Sequence, residues 1–159
     1  YARLRYGGSS RKHAALVAAV TDADGHFGGI QRTYLTRDGR KLEVDEPKLS
    51  LGNIKGGAIR IGDSVDEVIV CEGLEDGLSV QMDLSNMSVW VAAGAGMMAH
   101  MQLPASCRQV TIAADNDEAG RRAADAAATA FQQQGRWARI MHPSPGFKDF
   151  NQQLLEYVP

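Results

Sequence analysis

Two acidic clusters stand at the ends of short apolar runs: Val68-Ile69-Val70-Cys71-Glu72-Gly73-Leu74-Glu75-Asp76 and Val110-Thr111-Ile112-Ala113-Ala114-Asp115-Asn116-Asp117. Carboxylates at the C-terminal edge of adjacent parallel strands converge on the crevice where an open α/β sheet places its ligands. Oxygen donors gathered in this way hold divalent cations. Gly73 lets the chain turn sharply after Glu72 and lets a ligand approach closely. Asp76, four residues on, lies one helical turn into the next segment and can face the same crevice. Asp115 and Asp117 have the alternate spacing of an extended backbone, so both can point to one side, where their repulsion is costly unless a cation neutralises it. A plainer role stays open for each: Glu72 and Asp76 suit the positive end of a following helix, and Asp or Asn suits an N-cap. One acid is enough for a cap, whereas a cation accounts for two.

Elements able to position these acids follow from the hydrophobic rhythm. From Asp66 onward strand, loop and helix alternate. Glu67 to Cys71 reads as a buried strand, Leu74 to Met82 as a helix, and Ser88 to Ala92 as the next strand. Gly94 to Met101 reads as a loop with a short helix, and Gln109 to Ala114 as the third strand. Asp117 to Gln134 is a long Ala-rich helix closed by Gly135. Trp137 to Met141 is the fourth strand, Pro143 to Gly146 a loop, and Asp149 to Tyr157 a closing helix. Such alternation predicts a parallel sheet with crossover helices.

The N-terminal part has a different rhythm. Ala14 to Val20 is rich in helix-forming alanine but runs into the turn Thr21-Asp22-Ala23-Asp24-Gly25, and Ile30 to Leu35 alternates like a strand, so two antiparallel strands are predicted. Arg37-Asp38-Gly39 is a second turn. Leu49 to Gly57 reads as a glycine-rich loop, and Gly57 to Ile61 as a third short strand ending at Gly62-Asp63. The predicted fold is α/β: a four-stranded parallel sheet flanked by helices (residues 65–159), preceded by a small, mainly β subdomain (residues 1–64).

Bulk properties exclude several classes. The 159 residues suffice for a real core, and 44% hydrophobic with 23% charged residues is the composition of a globular protein. A net charge of -2 excludes a globally basic nucleic-acid coat but not a local patch. Cys71 and Cys107 lie far apart, so neither a zinc ribbon nor a disulfide framework is indicated, and a cytoplasmic setting is expected. No apolar run has the length of a membrane span. Tyr1 at the first position leads us to expect a fragment of a longer chain.

Taken together, Glu72-Gly73-x-x-Asp76, Asp115-x-Asp117 with Glu118-Ala119-Gly120 behind it, and Lys148-Asp149-Phe150-Asn151 resemble the Toprim domain of topoisomerases and bacterial-type primases, over Asp66 to about Tyr157. The resemblance implies that Glu72, Asp115 and Asp117 bind Mg²⁺, with Mn²⁺ as a substitute, that Glu72 also acts in proton transfer, and that Asp76 is a further candidate ligand. Upstream, Gly28-Gly29-Ile30-Gln31-Arg32, Pro47-Lys48 and the Gly52 to Gly57 stretch resemble the elements preceding Toprim in primase catalytic cores, more so in the phage and plasmid primase-helicase group. Basic residues of that region contact template and nucleotide, which carries over to Arg32, Lys48 and Lys55; each also fits a solvated surface cation. Lys148-Asp149-x-Asn151 resembles the segment that closes primase Toprim domains. Many members have a further acid where this chain has Gln152. Lys148 is then expected on nucleotide phosphate as a point charge, and Asp149 either beside it or as the N-cap of the last helix.

The implied function is Mg²⁺-dependent synthesis of RNA primers on single-stranded DNA from ribonucleoside triphosphates, with a replicative helicase, fused or separate, as a further partner. A Toprim nuclease and a non-catalytic nucleic-acid-binding module are the alternatives. A topoisomerase needs a nucleophilic tyrosine in another domain, for which this chain is too short. Arg121 and Arg122 start the long helix against its dipole, which points to phosphate contact or to an ion pair with Asp125. Gly94-Ala95-Gly96 is half of a dinucleotide fingerprint without its third glycine or its acid. His13, His26, His100 and His142 show no metal-ligand spacing, and Met97, Met98 and Met101 read as core or interface.

Overall fold

The computed structural model describes residues 2–8, 10–94 and 96–157; Tyr1 and Ala95, both named above, lie outside them. The strands are β1 (Ala2–Arg5), β2 (Lys12–Thr21), β3 (Phe27–Leu35), β4 (Lys48–Gly52), β5 (Ala58–Ile61), β6 (Glu67–Cys71), β7 (Ser88–Ala92), β8 (Gln109–Ala113) and β9 (Trp137–Met141). The helices are α1 (Leu74–Asp83), α2 (Glu118–Gln133) and α3 (Phe150–Tyr157), with a 3₁₀ turn at Met98–His100.

All nine strands join one sheet in the order β4-β3-β2-β5-β7-β6-β8-β9, with β1 also paired to β2. The four strands β7, β6, β8 and β9 are mutually parallel, as expected, and β5 joins them antiparallel to β7. β6, β7 and β8 are near-continuous apolar runs because a parallel sheet is covered on both faces. The pleat sends Val68, Val70, Val110 and Ile112 to one face with Ala124, Ala127 and Phe131 of α2, and Ile69, Cys71, Val89 and Val91 to the other with Leu74 and Val80 of α1. Met98 and Met101 are buried in the α2 face, and both cysteines are buried free thiols.

The chain leaves β6, passes through α1 to β7 on one side, then crosses to β8 on the other side of β6. The C-terminal ends of β6 and β8 therefore form a topological switch point, where the connections diverge and a crevice opens. Register brings Cys71 opposite Ala113, so Glu72 and Asp115 leave the sheet at nearly the same level.

Two features depart from the sequence expectation. Leu49–Gly52, expected within a glycine-rich loop, forms with Lys48 a strand paired to β3, with Gly29 opposite Gly52. A Cβ on Gly29 would stand 2.4 Å from the Leu51 carbonyl oxygen, so these glycines permit close backbone approach in a sheet rather than marking a loop. β1 was not anticipated at all. The Ala14 to Val20 stretch is a strand despite its alanines, since antiparallel pairing with β3 overrides a weak helical propensity. Among the described residues no helix is long and apolar enough to cross a membrane.

Candidate functional site

Glu72 and Gly73 form the tight passage from β6 into α1, and Gly73 is the N-cap in an extended conformation without a side-chain cap. A Cβ on Gly73 would lie 2.8 Å from Asp76 Oδ2, so glycine leaves room for that carboxylate to fold back over the start of the helix. Asp76 Oδ1 accepts the Asn151 backbone N–H at 3.0 Å, tying α1 to the start of α3. Across the crevice, Asp117 caps α2 by accepting the Gly120 N–H at 2.8 Å. A Cβ on Gly120 would come within 2.7 Å of Asp115 Cβ, so the glycine lets α2 press against the end of β8.

Glu72, Asp76, Asp115 and Asp149 line one cleft of about 740 Å³ together with Lys41, Lys48 and Lys148. Asp117 faces an adjoining groove of about 830 Å³ with Arg121, His142 and Lys148, so Lys148 borders both spaces. Lys148 Nζ is 3.8 Å from Asp117 Oδ2. Among the described residues, neither Glu72 nor Asp115 has a side-chain hydrogen bond or ion pair. Their shared field is strong. Burial, then Asp76, Asp149, Asp117 and Glu72, push the Asp115 carboxyl up to about 6. Burial and Asp117 raise Glu72, with Lys48 opposing. Burial raises Asp76 against the favourable Asn151 N–H, and Asp149 adds to the rise. Below them the Cys71 thiol is held well above its ordinary range by burial and by the same acids, which keeps it neutral. A cluster of hard oxygen donors, in which the proton affinities of Glu72, Asp76 and Asp115 are raised, fits a divalent cation.

Residues 67–157 match the Toprim domain family, which covers more than half of the chain. The chain belongs to the Toprim family. Residues 1–61 match a domain of unknown function. No curated protein matches the chain in sequence. Among solved structures, the Toprim chain resembles the primase fragment of the bacteriophage T7 primase-helicase protein at a TM-score of 0.64 and 20% identity, covering 91% of this chain and 59% of that one. It also resembles a DNA primase domain from Pseudomonas aeruginosa (TM-score 0.62, 16% identity, 97% and 52% covered). A DnaG primase catalytic domain bound to single-stranded DNA aligns at 0.62 and 21% identity over 93% of this chain and 50% of that one. These likenesses establish a shared fold, and the Toprim chain spans 50–59% of the length of these three structures.

The structure brings together on this fold Glu72, Asp76, Asp115, Lys48, Lys148 and Asp149, with Asp117 and Arg121 next door. It does not bring Arg32 or Lys55 to the cleft. Strand alternation puts Arg32 on the sheet face opposite the cleft-lining Gln31, and Lys55 lies in an exposed turn between β4 and β5. Asp149 also caps α3, accepting the Gln152 N–H at 2.7 Å, while Gln152 accepts the Lys148 N–H at 2.7 Å.

Asn116 and Glu75 escape a reading of the sequence. Asn116 donates its side-chain amide to the carbonyls of Phe147 (2.8 Å) and Pro143 (3.2 Å), and its backbone N–H to that of Lys148 (2.7 Å), so it fastens the loop before α3 to the end of β8. Its position between two acids was the available signal. Glu75 binds Lys48 and Lys41 at 2.7 and 3.1 Å; burial works against its charge, but the lysines outweigh burial and hold the carboxyl below its usual range. Elsewhere, Asp22, Asp24 and His26 are the described side chains whose ligating atoms lie within 4.8 Å of one another, correcting the expectation that no histidine has metal-ligand spacing. All three are exposed, and Asp22 Oδ1 accepts the N–H groups of Asp24 and His26, which explains the group as a turn. No three of the cleft acids meet that spacing.

Proposed function

We propose that this chain is a primase catalytic core, or part of one, that joins ribonucleotides into a primer on a single-stranded DNA template. The observation that carries the reading is the pair Glu72 and Asp115: partly buried, without hydrogen-bond or ion-pair partners among the described residues, raised in proton affinity, and set at the switch point between β6 and β8. Unpaired carboxylates in such a setting are costly unless they serve a cation.

Glu72, Asp115 and Asp117 would hold Mg²⁺ or Mn²⁺, with Asp76 contributing through the oxygen not engaged by Asn151. When bound, such an ion polarises phosphoryl oxygens and lowers the pKa of an attacking hydroxyl. Glu72, with its raised proton affinity, suits acceptance of the proton from the primer 3′-hydroxyl. That oxygen then attacks the α-phosphorus of a ribonucleoside triphosphate, and pyrophosphate departs. Lys48 and Lys148, on the two sides of the cleft, stabilise phosphate charge as point cations. Arg121 beside Lys148 extends the positive lining into the adjoining groove. Residues 1–64 would supply the wall facing the template, with affinity that falls steeply with salt. A helicase, fused or separate, and a cytoplasmic setting belong to the same proposal.

The test is primer synthesis on single-stranded DNA with labelled ribonucleotides, run beside a nicking assay on the same preparation. Product that requires Mg²⁺ or Mn²⁺ and disappears in Glu72→Gln supports the primase. Cleavage without synthesis moves the chain to the nuclease reading, and DNA binding with neither activity to a non-catalytic module.

A further inference from the structure

One carboxylate outside the metal-binding set holds two lysines at the cleft. Glu75 Oε2 is 2.7 Å from Lys48 Nζ and Oε1 is 3.1 Å from Lys41 Nζ. Glu75 sits in the first turn of α1, whereas the lysines come from the opposite wall, Lys48 as the first residue of β4 and Lys41 from the turn after β3. All three line the same cleft as Glu72 and Asp115. Each carboxylate oxygen takes one lysine, so one side chain orders both. An ammonium group has three donors and no acceptor, so each lysine keeps two donors free for another anion.

The neighbouring acids give this arrangement a purpose beyond a strut. A long, flexible lysine without a fixed partner would be drawn to the nearest free carboxylate, here Glu72, Asp76 or Asp115, and would occupy the oxygens that a cation needs. Glu75 removes that competition. We infer that Glu75 is a positioning residue that presents Lys41 and Lys48 as a preformed two-lysine seat for a polyphosphate chain. The inference rests on the primase reading for the nucleotide that carries the polyphosphate, but the seat itself is an anion site that can be tested alone.

Its sign is distinctive. Deleting a negative charge beside an anion site should, by Coulomb attraction alone, tighten anion binding; loss of a positioning residue should weaken it. The probe is inorganic tripolyphosphate titrated against the whole chain, with protection of Lys41 and Lys48 from an amine-acylating reagent read by mass spectrometry. Tripolyphosphate is expected to protect both lysines, and Glu75→Gln to raise the protection midpoint about tenfold, a loss of about 1.4 kcal/mol. Glu43→Gln, an exposed acid outside the cleft, should leave the midpoint unchanged. The melting temperature of Glu75→Gln should stay close to the parent, because half-exposed ion pairs add little stability. Lys41→Gln gives a second handle and should also raise the midpoint for Lys48. An unchanged or lower midpoint in Glu75→Gln, or no protection in the parent, overturns the inference. Primer synthesis without lysine protection would sink the seat and spare the primase reading, and protection without synthesis would do the reverse.

Discussion

The side-chain amide of Asn116 lies 2.8 Å from the carbonyl of Phe147, and this bond carries the loop before α3 onto the end of β8. The same residue touches the Pro143 carbonyl with its amide and the Lys148 carbonyl with its backbone N–H. Lys148 and Asp149 therefore reach the cleft because Asn116, standing between two acids, holds their segment there.

Replacement of Asn116 by alanine deletes two side-chain hydrogen bonds and leaves two partly buried carbonyls to find water. The expected loss is about 1–3 kcal/mol of stability. Metal-dependent activity should fall further than stability does, since Lys148 and Asp149 lose their anchor. Thermal melts beside primer synthesis check both, and a parent-like melt together with parent-like activity would refute the anchoring role.

Gly120→Ala would set a Cβ 2.7 Å from Asp115 Cβ and 2.9 Å from the Asp115 carbonyl oxygen, contacts that only a backbone shift can relieve. Overpacking of this kind costs about 1–3 kcal/mol. The helix start and Asp115 should move apart, and divalent-metal affinity, measured by calorimetry, should drop. Helical propensity alone predicts the opposite sign, a gain from replacing glycine with alanine.

Without metal, the chain should lose stability as pH rises. Asp115 titrates near 6 in the folded state against an ordinary 3.8, so the folded form holds its proton more tightly. The stabilising contribution is complete below about pH 3.8 and is lost as pH rises through about 6. Mg²⁺ should reverse this, raising the melting temperature more at pH 7.5 than at pH 5. Melting curves with and without the ion decide it, and a metal effect independent of pH would count against Asp115 as a ligand.

Asp115→Asn should separate stability from function. Removing one charge from a crowd of carboxylates relieves repulsion, so the metal-free variant is expected to melt higher than the parent. It should also lose the stabilisation by Mg²⁺ and the primer synthesis. A variant that melts lower without metal would show that the acids repel each other less than their geometry implies.

Lys148→Ala and Arg32→Ala test which cations meet nucleic acid. Lys148 borders both spaces beside the acids, whereas Arg32 stands on the other face of its strand. Lys148→Ala should weaken single-stranded DNA binding and lower the salt-dependence slope by about one. Arg32→Ala should leave both nearly unchanged, and the reverse ranking would move the binding surface to the opposite face.

The strand-end positions of Glu72, Asp115 and Asp117 were legible in the sequence because parallel strands are continuous apolar runs that such polar residues terminate, although the cap that Asp117 forms on α2 was equally open. The strands β6, β7 and β9 match the predicted bounds residue for residue. β4 was not legible, since its glycine and serine carry no strand signal and its pairing with β3 depends on backbone approach between distant segments. The roles of Glu75 and Asn116 were hidden likewise, as their partners lie 27 or more residues away in the chain.

By itself, then, the sequence determined the alternation of strand and helix, the parallel sheet and the acids at its strand ends, all of which follow from local periodicity and local turn chemistry. Tertiary structure alone decided which cations face those acids, that Arg32 turns away while Lys41 joins, and that one carboxylate governs two lysines. Strand order and register bring such groups together across long stretches of chain, and no spacing along the backbone encodes a distance in space.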